Sequence, residues 1–241
     1  MPAVLNHPRG YGRGYGFDDE RVENAVALAR SEVNVQLCFA WVLCAAVCLC
    51  FCLPAAAQST GQDGVHTHDG FMLRLGLGFG YGSESRKGED FTVSYSGVAG
   101  LFDLAIGWTL FECFGVHLSA WDWAAGDATR SNDHDPSVTG YSVGVVAGGA
   151  GVTYFLMPWS AYLSASVGVG DLRLENADGD KVAMTSPWPA VHAVVGKEWW
   201  VSANWGLGAA LAADYSVLKD QHADSPWTGY SLGLLLSATY N

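Results

Sequence analysis

Large apolar residues occupy every second position over residues 71–81, and this stretch sets the pattern for much of the chain. Every odd position from Phe71 to Tyr81 is large and apolar, while every even position from Arg74 to Gly80 is arginine or glycine. A period of two is typical of a β-strand with two unlike faces. Such a strand can turn its apolar face into a soluble core, or out to lipid in a membrane barrel.

Seven further stretches repeat this alternation and predict eight strands in all. They cover about residues 71–81, 97–110, 114–123, 139–156, 161–175, 188–200, 205–218 and 229–240. Asp122 falls out of phase, which predicts that strand three ends or bulges there. The apolar phase also changes within strands four and five, which predicts bulges near residues 147–149 and near Gly170.

The connections between these strands alternate in length. Those after strands two, four and six have about three or four residues, whereas the other four are longer and carry most of the charge. Outer-membrane barrels combine short periplasmic turns with long outer loops, whereas a soluble barrel turns its apolar faces inward. We therefore predict an all-β fold, an eight-stranded antiparallel up-and-down transmembrane β-barrel, over residues 70–241.

The N-terminal part has the pattern of an export signal. An uncharged apolar run, Leu37 to Leu53, precedes Pro54 and three alanines, which predicts a signal peptide cleaved after Ala57. We assign residues 1–57 to a leader and cleaved signal peptide and residues 58–69 to a short periplasmic linker. A membrane anchor is the alternative, and translation is predicted to start nearer Val33 or Val35. Five of the six cysteines lie in this segment, so the mature chain keeps only Cys113 and forms no internal disulfide.

Charge and motifs narrow the function classes. The chain has a formal net charge of −12, which argues against nucleic acid as a partner. Phosphate-binding and dinucleotide-binding motifs are lacking in the sequence. The spacing of Asn176, Asp178 and Asp180 faintly suggests calcium, but turns favour the same residues, so no metal and no cofactor is predicted.

With these features the chain resembles the eight-stranded outer-membrane β-barrel superfamily, the OmpA-like and OmpX-like barrels of Gram-negative bacteria. The likeness is carried by Asp69-Gly70-Phe71, by the run from Gly151 to Phe155 into a Met-Pro turn, and by the aromatic end of the last strand. Asn241 follows Tyr240, whereas the family usually ends on the aromatic residue. The resemblance implies a monomer in outer-membrane lipid that is inserted by the barrel-assembly machinery.

Charged side chains on the small-residue faces are predicted to form a lumen network that plugs the barrel, because buried charges persist only when they are paired. The predicted members are Arg74, Asp103, His117, His192, Glu198 and Asp214, with Arg173 and Glu175 added if strand five slips. A narrow channel for small or apolar solutes is the alternative. His117 and Ser119 also resemble the His-x-Ser motif of outer-membrane lipid A deacylases, which gives a second alternative, although no catalytic residue is assigned.

Aromatic residues gather near the strand ends and predict two membrane-interface girdles. The predicted members are Tyr81, Trp108, Trp121, Trp123, Tyr141, Trp159, Trp188, Trp199, Trp200, Trp205 and Tyr240. The protein is thus expected to serve a structural or surface-interaction role in the outer membrane of a Gram-negative bacterium. It would expose four acidic loops to a surface ligand.

Overall fold

The computed structural model describes residues 70–88, 91–221 and 224–241, and most of these residues lie in β-strands. The strands are β1 (Gly70–Lys87), β2 (Thr92–Leu110), β3 (Phe114–Asn132), β4 (Val138–Leu156), β5 (Ala161–Glu175), β6 (Lys181–Ser186), β7 (Trp188–Trp200), β8 (Trp205–Asp220) and β9 (Trp227–Tyr240). Over the described residues, helices of the length and apolarity needed to cross a bilayer do not occur. The predicted leader, signal peptide and linker lie outside the described residues and stay predictions.

The strands close into a ring. Each pairs antiparallel with its neighbour, and β1 pairs with both β2 and β9. β6 and β7 occupy one position in the wall, since β5 and β8 each pair with both of them. Pro187 separates the two because it lacks an N–H and restricts the residue before it. The predicted eight-stranded antiparallel barrel is confirmed, but its sixth wall strand begins at Lys181 rather than at Trp188.

The connections at one end of the barrel are shorter than those at the other, as the sequence predicts, but the difference in length is smaller than predicted. Residues 111–113, 157–160 and 201–204 form the short turns, and Phe111 and Glu112 take positive φ angles of 55° and 62°. Such angles suit the tight turns that match strand twist. At the other end the strands continue through much of the predicted loops, so β1 reaches Lys87 and β3 reaches Asn132. The remaining connections there are short polar tips.

Strand β5 explains the apparent change of phase. Val167 and Val169 point outward and are 67% and 53% exposed, whereas Leu172 and Leu174 point inward and are buried. The β4–β5 ladder nevertheless runs without a register shift from Ser142 to Leu156. The predicted bulges in strands four and five are therefore wrong. The alternation is continuous, and apolar side chains change from the outer to the inner face along the strand.

On neighbouring strands, apolar side chains also change from the outer to the inner face. On β3, Leu118 faces outward while Trp121 and Trp123 are buried inside, and Asp122 points outward from an uninterrupted strand. The first register shift between β3 and β4 comes only after Ala125, so the predicted end of strand three at Asp122 is wrong. The barrel thus has a half near the short turns with an apolar outside, and a half near the tips with an apolar inside.

The apolar outer belt has the height of a hydrocarbon layer. On β1 it runs over residues 71–81, and Leu77 and Phe79 are 57% and 67% exposed. At about 3.3 Å per residue these positions span roughly 33 Å along the strand, or about 25 Å once the strand tilts by about 40°. That is about the height of the apolar band of membrane barrels. Side chains beyond Tyr81 on β1, including Glu84, lie outside the membrane-spanning segment.

Candidate functional site: a sealed barrel interior

Arg74 is the centre of a polar cluster inside the belt. Its side chain is 2% exposed, and its Nε donates to Asp103 Oδ2 at 3.1 Å. The two terminal nitrogens reach the hydroxyls of Thr153 at 3.4 Å and Ser164 at 3.1 Å. Its Cζ lies 4.9 Å from the ring centroid of Tyr162. One guanidinium therefore ties β1 to β2 on one side and to β4 and β5 across the lumen.

A second group continues the network through His192. Nδ1 of His192 lies 2.5 Å from Asp214 Oδ1, and Nε2 lies 3.2 Å from Asp103 Oδ1. Of these two contacts, the one to Asp214 has the geometry of a hydrogen bond, whereas His192 Nε2 and Asp103 Oδ1 lie close together without forming one. Ser231 donates to the other oxygen of Asp214 at 2.5 Å, and the Trp121 ring stacks on His192 at 5.3 Å. Asp103 thus lies between Arg74 and His192 and joins the two groups into one polar network.

The other predicted lumen residues also face inward. Glu198 is 4% exposed and accepts a hydrogen bond from Thr239. His117 is 5% exposed, and its Nε2 lies 3.3 Å from the Ser164 hydroxyl. The structure therefore brings His117 to a serine on another strand, and Ser119 has no hydrogen-bond partner among the described residues.

Two of the predicted network residues are misplaced by the sequence reading. Arg173 and Glu175 lie on the outer face of β5, because the strand does not slip and its even positions point inward throughout. They flank Leu174, which is 1% exposed and belongs to the apolar interior. Their predicted place in the lumen is therefore wrong.

Above the polar network the interior is apolar and packed. Trp123, Leu174, Leu218, Val143 and Val145 are each at most 3% exposed within one hydrophobic cluster. An eight-stranded barrel has an interior that side chains can fill. This layer and the charged network below it therefore form two successive barriers along the axis.

The apolar layer is closed at the tips by an aromatic and ionic cap. Asp220 accepts hydrogen bonds from Arg86 Nη1 at 2.6 Å and from Trp227 Nε1 at 2.9 Å. The Arg86 guanidinium lies 5.0 Å from the Trp227 ring centroid, and Tyr95 packs between Trp227 and Tyr141. These contacts join β1, β2, β4, β8 and β9 beyond the apolar belt.

Glu84 is the buried acid of this upper half. Its Oε1 accepts from Ser216 at 2.9 Å, while Oε2 has no hydrogen-bond partner among the described residues. Burial raises the pKa of Glu84 to about 8, against a smaller opposing effect of the Ser216 hydrogen bond. Glycine at position 229 provides the space for the Glu84 carboxyl group, since a Cβ there would lie 2.0 Å from Oε1.

The predicted aromatic residues fall into two groups. Trp108, Trp159 and Trp199 are 54%, 67% and 55% exposed near the short turns, and Trp200, Trp205 and Tyr240 are partly exposed close by. Tyr81 and Trp188, 46% and 44% exposed, lie on the outer face toward the tips.

The remaining three predicted girdle residues lie inside. Trp121 and Trp123 are 2% and 1% exposed, and Tyr141 packs on the buried Tyr95 ring. Their assignment to an outer girdle is wrong, because they belong to the half where apolar side chains point inward. The outward side chains at the same height include Asp122 and Arg173.

Sequence reasoning missed the neutral partners of the network. Thr153, Ser164, Ser231 and Thr239 each make a hydrogen bond to a charged member. Their positions on the small-residue faces were a usable signal, since a hydroxyl facing a narrow lumen is close to any charge within it. The stacking of Trp121 on His192 could not be predicted in this way, because Asp122 indicated that strand three ends next to Trp121.

Comparisons with known proteins give no sequence relative. No protein-family model and no curated protein matches the chain. Among solved structures it is similar to Neisserial surface protein A, with 13% identity over 70% of this chain and 96% of that one, and a TM-score of 0.49. The outer membrane protein OprG of Pseudomonas aeruginosa gives 11% identity over 73% and 96%, with a TM-score of 0.49.

A third similar structure is Ail, the attachment invasion locus protein of Yersinia pestis. It gives 15% identity over 70% of this chain and 99% of that one, with a TM-score of 0.38. At these values the fold assignment rests on the strand ring and the outer apolar belt of the chain itself. By that topology and that belt, the chain is an eight-stranded transmembrane β-barrel of the outer-membrane type.

Proposed function

We propose that the chain is an integral outer-membrane protein of a Gram-negative bacterium that does not conduct, and that it presents a rigid platform at the cell surface. The filled interior is the observation that carries this proposal. The network around Arg74 crosses the lumen within the belt, and the layer around Trp123 fills it above. A solute would have to break both layers to pass.

The platform is the half of the barrel beyond the belt. β2, β3 and β4 are each 19 residues long, well above the 9–11 residues that a tilted strand needs to cross a bilayer. The connections at this end carry exposed acidic side chains: Asp133, Asp135, Asp178, Asp180 and Asp224. Paired strands hold these tips at fixed positions, so they suit a partner that carries positive charge. We propose that the chain acts as a monomer in outer-membrane lipid and is inserted by the barrel-assembly machinery.

Planar-bilayer recording tests the closed interior. The refolded protein is added to a bilayer, and its insertion is checked separately by flotation with liposomes and by heat-modifiable gel mobility. We expect no steady conductance from inserted protein, because two packed layers close the bore. A porin reconstituted in the same way is the positive control.

Steady conductance steps from the inserted wild-type protein would contradict the proposal and support the narrow channel. Trp123→Ala provides a matched test of where a leak begins. The substitution opens the upper layer alone, so we expect it to stay silent while the Arg74 network below is intact. A protein that fails to float with liposomes would contradict the membrane assignment itself.

A further inference from the structure

The cap at the tips contains an ion pair directly above a buried acid. Glu84 and Arg86 are alternate residues of β1, so both side chains point into the lumen, and their Cα atoms lie about 7 Å apart. Arg86 Nη1 donates to Asp220 Oδ2 at 2.6 Å, and the guanidinium lies over the Trp227 ring. A side chain of this length can reach two carboxylates, that of Asp220 on β8 and that of Glu84 on its own strand.

Glu84 makes no ion pair in this arrangement of the cap. Its side chain is fully buried, Oε1 accepts from Ser216 at 2.9 Å, and Oε2 has no hydrogen-bond partner within the part of the chain that the structure describes. A buried carboxylate without a cation is costly, so Glu84 is protonated while Arg86 stays with Asp220. Its pKa of about 8, which burial raises, is consistent with this geometry.

Arg86 is closer to Glu84 along the barrel wall than Arg130, the cation on the β3 side. On β2 the register partner of Glu84 is Tyr95, and on β3 the register partner of Tyr95 is Arg130. Two strand spacings put the Cα atoms of Arg130 and Glu84 about 10 Å apart. Arg130 also interacts with the Tyr95 hydroxyl, whereas the Glu84 carboxyl group points away from both, over Gly229.

The strands on the other side of Glu84 supply no compensating charge. On β9 its register partner is Gly229, and on β8 the inward residue next to Gly229 is Ser216. The acids of β8 that face inward are Asp214, two residues below Ser216, and Asp220, four residues above it. Negative charges of this kind repel a further carboxylate. If Glu84 ionises, compensation therefore depends on a movement of Arg86.

We infer that Arg86 changes its partner from Asp220 to Glu84 when Glu84 loses its proton to solvent, and that this exchange loosens the cap. With Glu84 protonated, the Arg86–Asp220 pair holds the end of β8 to β1 across β9. With Glu84 ionised, the guanidinium turns down toward the new buried charge, and the end of β8 loses its ionic contact. The inference rests on the proposed function, since it assigns a pH-dependent control to the surface platform.

The direction of the pH effect follows from the two states of the cap. They differ by one proton on Glu84, so a rise in pH favours the state in which Arg86 has left Asp220. The cap is therefore closed at neutral pH and loosened above about pH 8 to 9. The polar network around Arg74 lies below the apolar layer and keeps its contacts in both states.

Hydrogen–deuterium exchange of the full chain in liposomes tests the loosening between pH 6 and pH 10. Rates are compared as protection factors, which correct for the pH dependence of exchange itself. We expect protection of residues 216–220 to fall about tenfold through the transition, as for the loss of one charge-assisted hydrogen bond, while residues 101–108 in the belt stay protected. Glu84→Gln should keep high protection throughout. Asp127→Asn is the matched control, because it removes an exposed acid of β3 and should keep the wild-type transition.

A second measurement tests the change of partner in detergent-solubilised protein, where the ¹³C shift of the Glu84 carboxyl group reports its titration midpoint. Asp220→Asn removes the competing carboxylate and should lower this midpoint by about 1 pH unit or more, whereas Arg86→Gln removes the cation and should raise it. Equal midpoints in the wild type and Asp220→Asn would overturn the exchange. Protection of residues 216–220 that does not change with pH, or that falls equally in Glu84→Gln, would overturn the inference, as would a simultaneous loss of protection in the belt. Failure to enter liposomes refutes the proposed function, and the titration in detergent is independent of that result.

Discussion

Replacement of Arg74 by alanine should loosen the barrel from within. The change removes the hydrogen bond to Asp103 at 3.1 Å and the contacts to Thr153 and Ser164, which join strands on opposite sides of the lumen. It also leaves His192 Nε2, at 3.2 Å from Oδ1, as the remaining ionisable group beside Asp103. Because both members of the Arg74–Asp103 pair are at most 2% exposed, water cannot easily replace the lost partner.

The expected loss follows from that burial. Breaking a buried ion pair by removing one partner costs about 3–5 kcal/mol, since the other charge is left uncompensated. We expect Arg74→Ala to lower the free energy of unfolding by that amount. In Asp103→Asn the uncompensated carboxylate is absent, so Arg74→Ala should cost about 1–3 kcal/mol less in that background.

Urea unfolding in lipid vesicles measures both values, with gel mobility of unheated samples reporting the folded fraction. Lys87→Ala serves as the control for removal of an exposed cation, and we expect it to change stability by less than about 0.5 kcal/mol. A loss below about 1 kcal/mol in Arg74→Ala would refute the reasoning. An equal loss with Asp103 and with Asn at position 103 would refute it too, because the two side chains would then not be coupled.

Two other predictions concern the half of the barrel beyond the belt. Because the folded-state pKa of Glu84 is raised from 4.5 to about 8, the folded protein holds a proton that the unfolded chain has lost, and stability should fall as the pH rises between these values. In urea titrations at different pH, Glu84→Gln should remove this dependence of stability on pH and should be more stable than the wild type at pH 8. If the dependence is unchanged in Glu84→Gln, groups other than Glu84 cause it. Trp123→Ala should cost about 3–5 kcal/mol in the same assay, because it leaves a cavity in a packed core. Trp199→Ala, at a 55% exposed position, should cost less, and equal losses would contradict the buried place of Trp123.

The fold could be predicted because each strand keeps a strict period of two over the belt. The short turns were also predictable, since a few residues between two alternating runs leave room only for a hairpin. The six inward-facing members of the lumen network follow from the same parity. These inferences need only local pattern, and local pattern is what the sequence displays.

The errors share one physical cause. The predicted bulges place the apolar side chains of Val143, Val145, Leu172 and Leu174 on the same outer face as those of Val152 and Val167, whereas they point inward. The side chains in the upper half fill an interior surrounded by water, whereas those in the lower half face lipid. A period of two shows which residues share a face of the strand. It does not show where along the strand the surroundings of the outer face change from lipid to water. The apparent phase slip therefore marks the membrane boundary, and reading it as a bulge misplaced Arg173, Glu175, Trp121 and Trp123.

The exchange of apolar faces along β5 also fixes how deep the protein sits in its bilayer. Sinking by two residues along the strand, or about 5 Å along the membrane normal, would carry Asp171 into hydrocarbon, and rising by as much would lift Val169 into water. Many membrane proteins accommodate a hydrophobic mismatch by tilting or kinking their helices. A closed cylinder with charges immediately above its apolar belt has little such freedom. A bilayer of the wrong thickness would have to thin or thicken around it, which makes this barrel sensitive to the acyl-chain length of its host membrane.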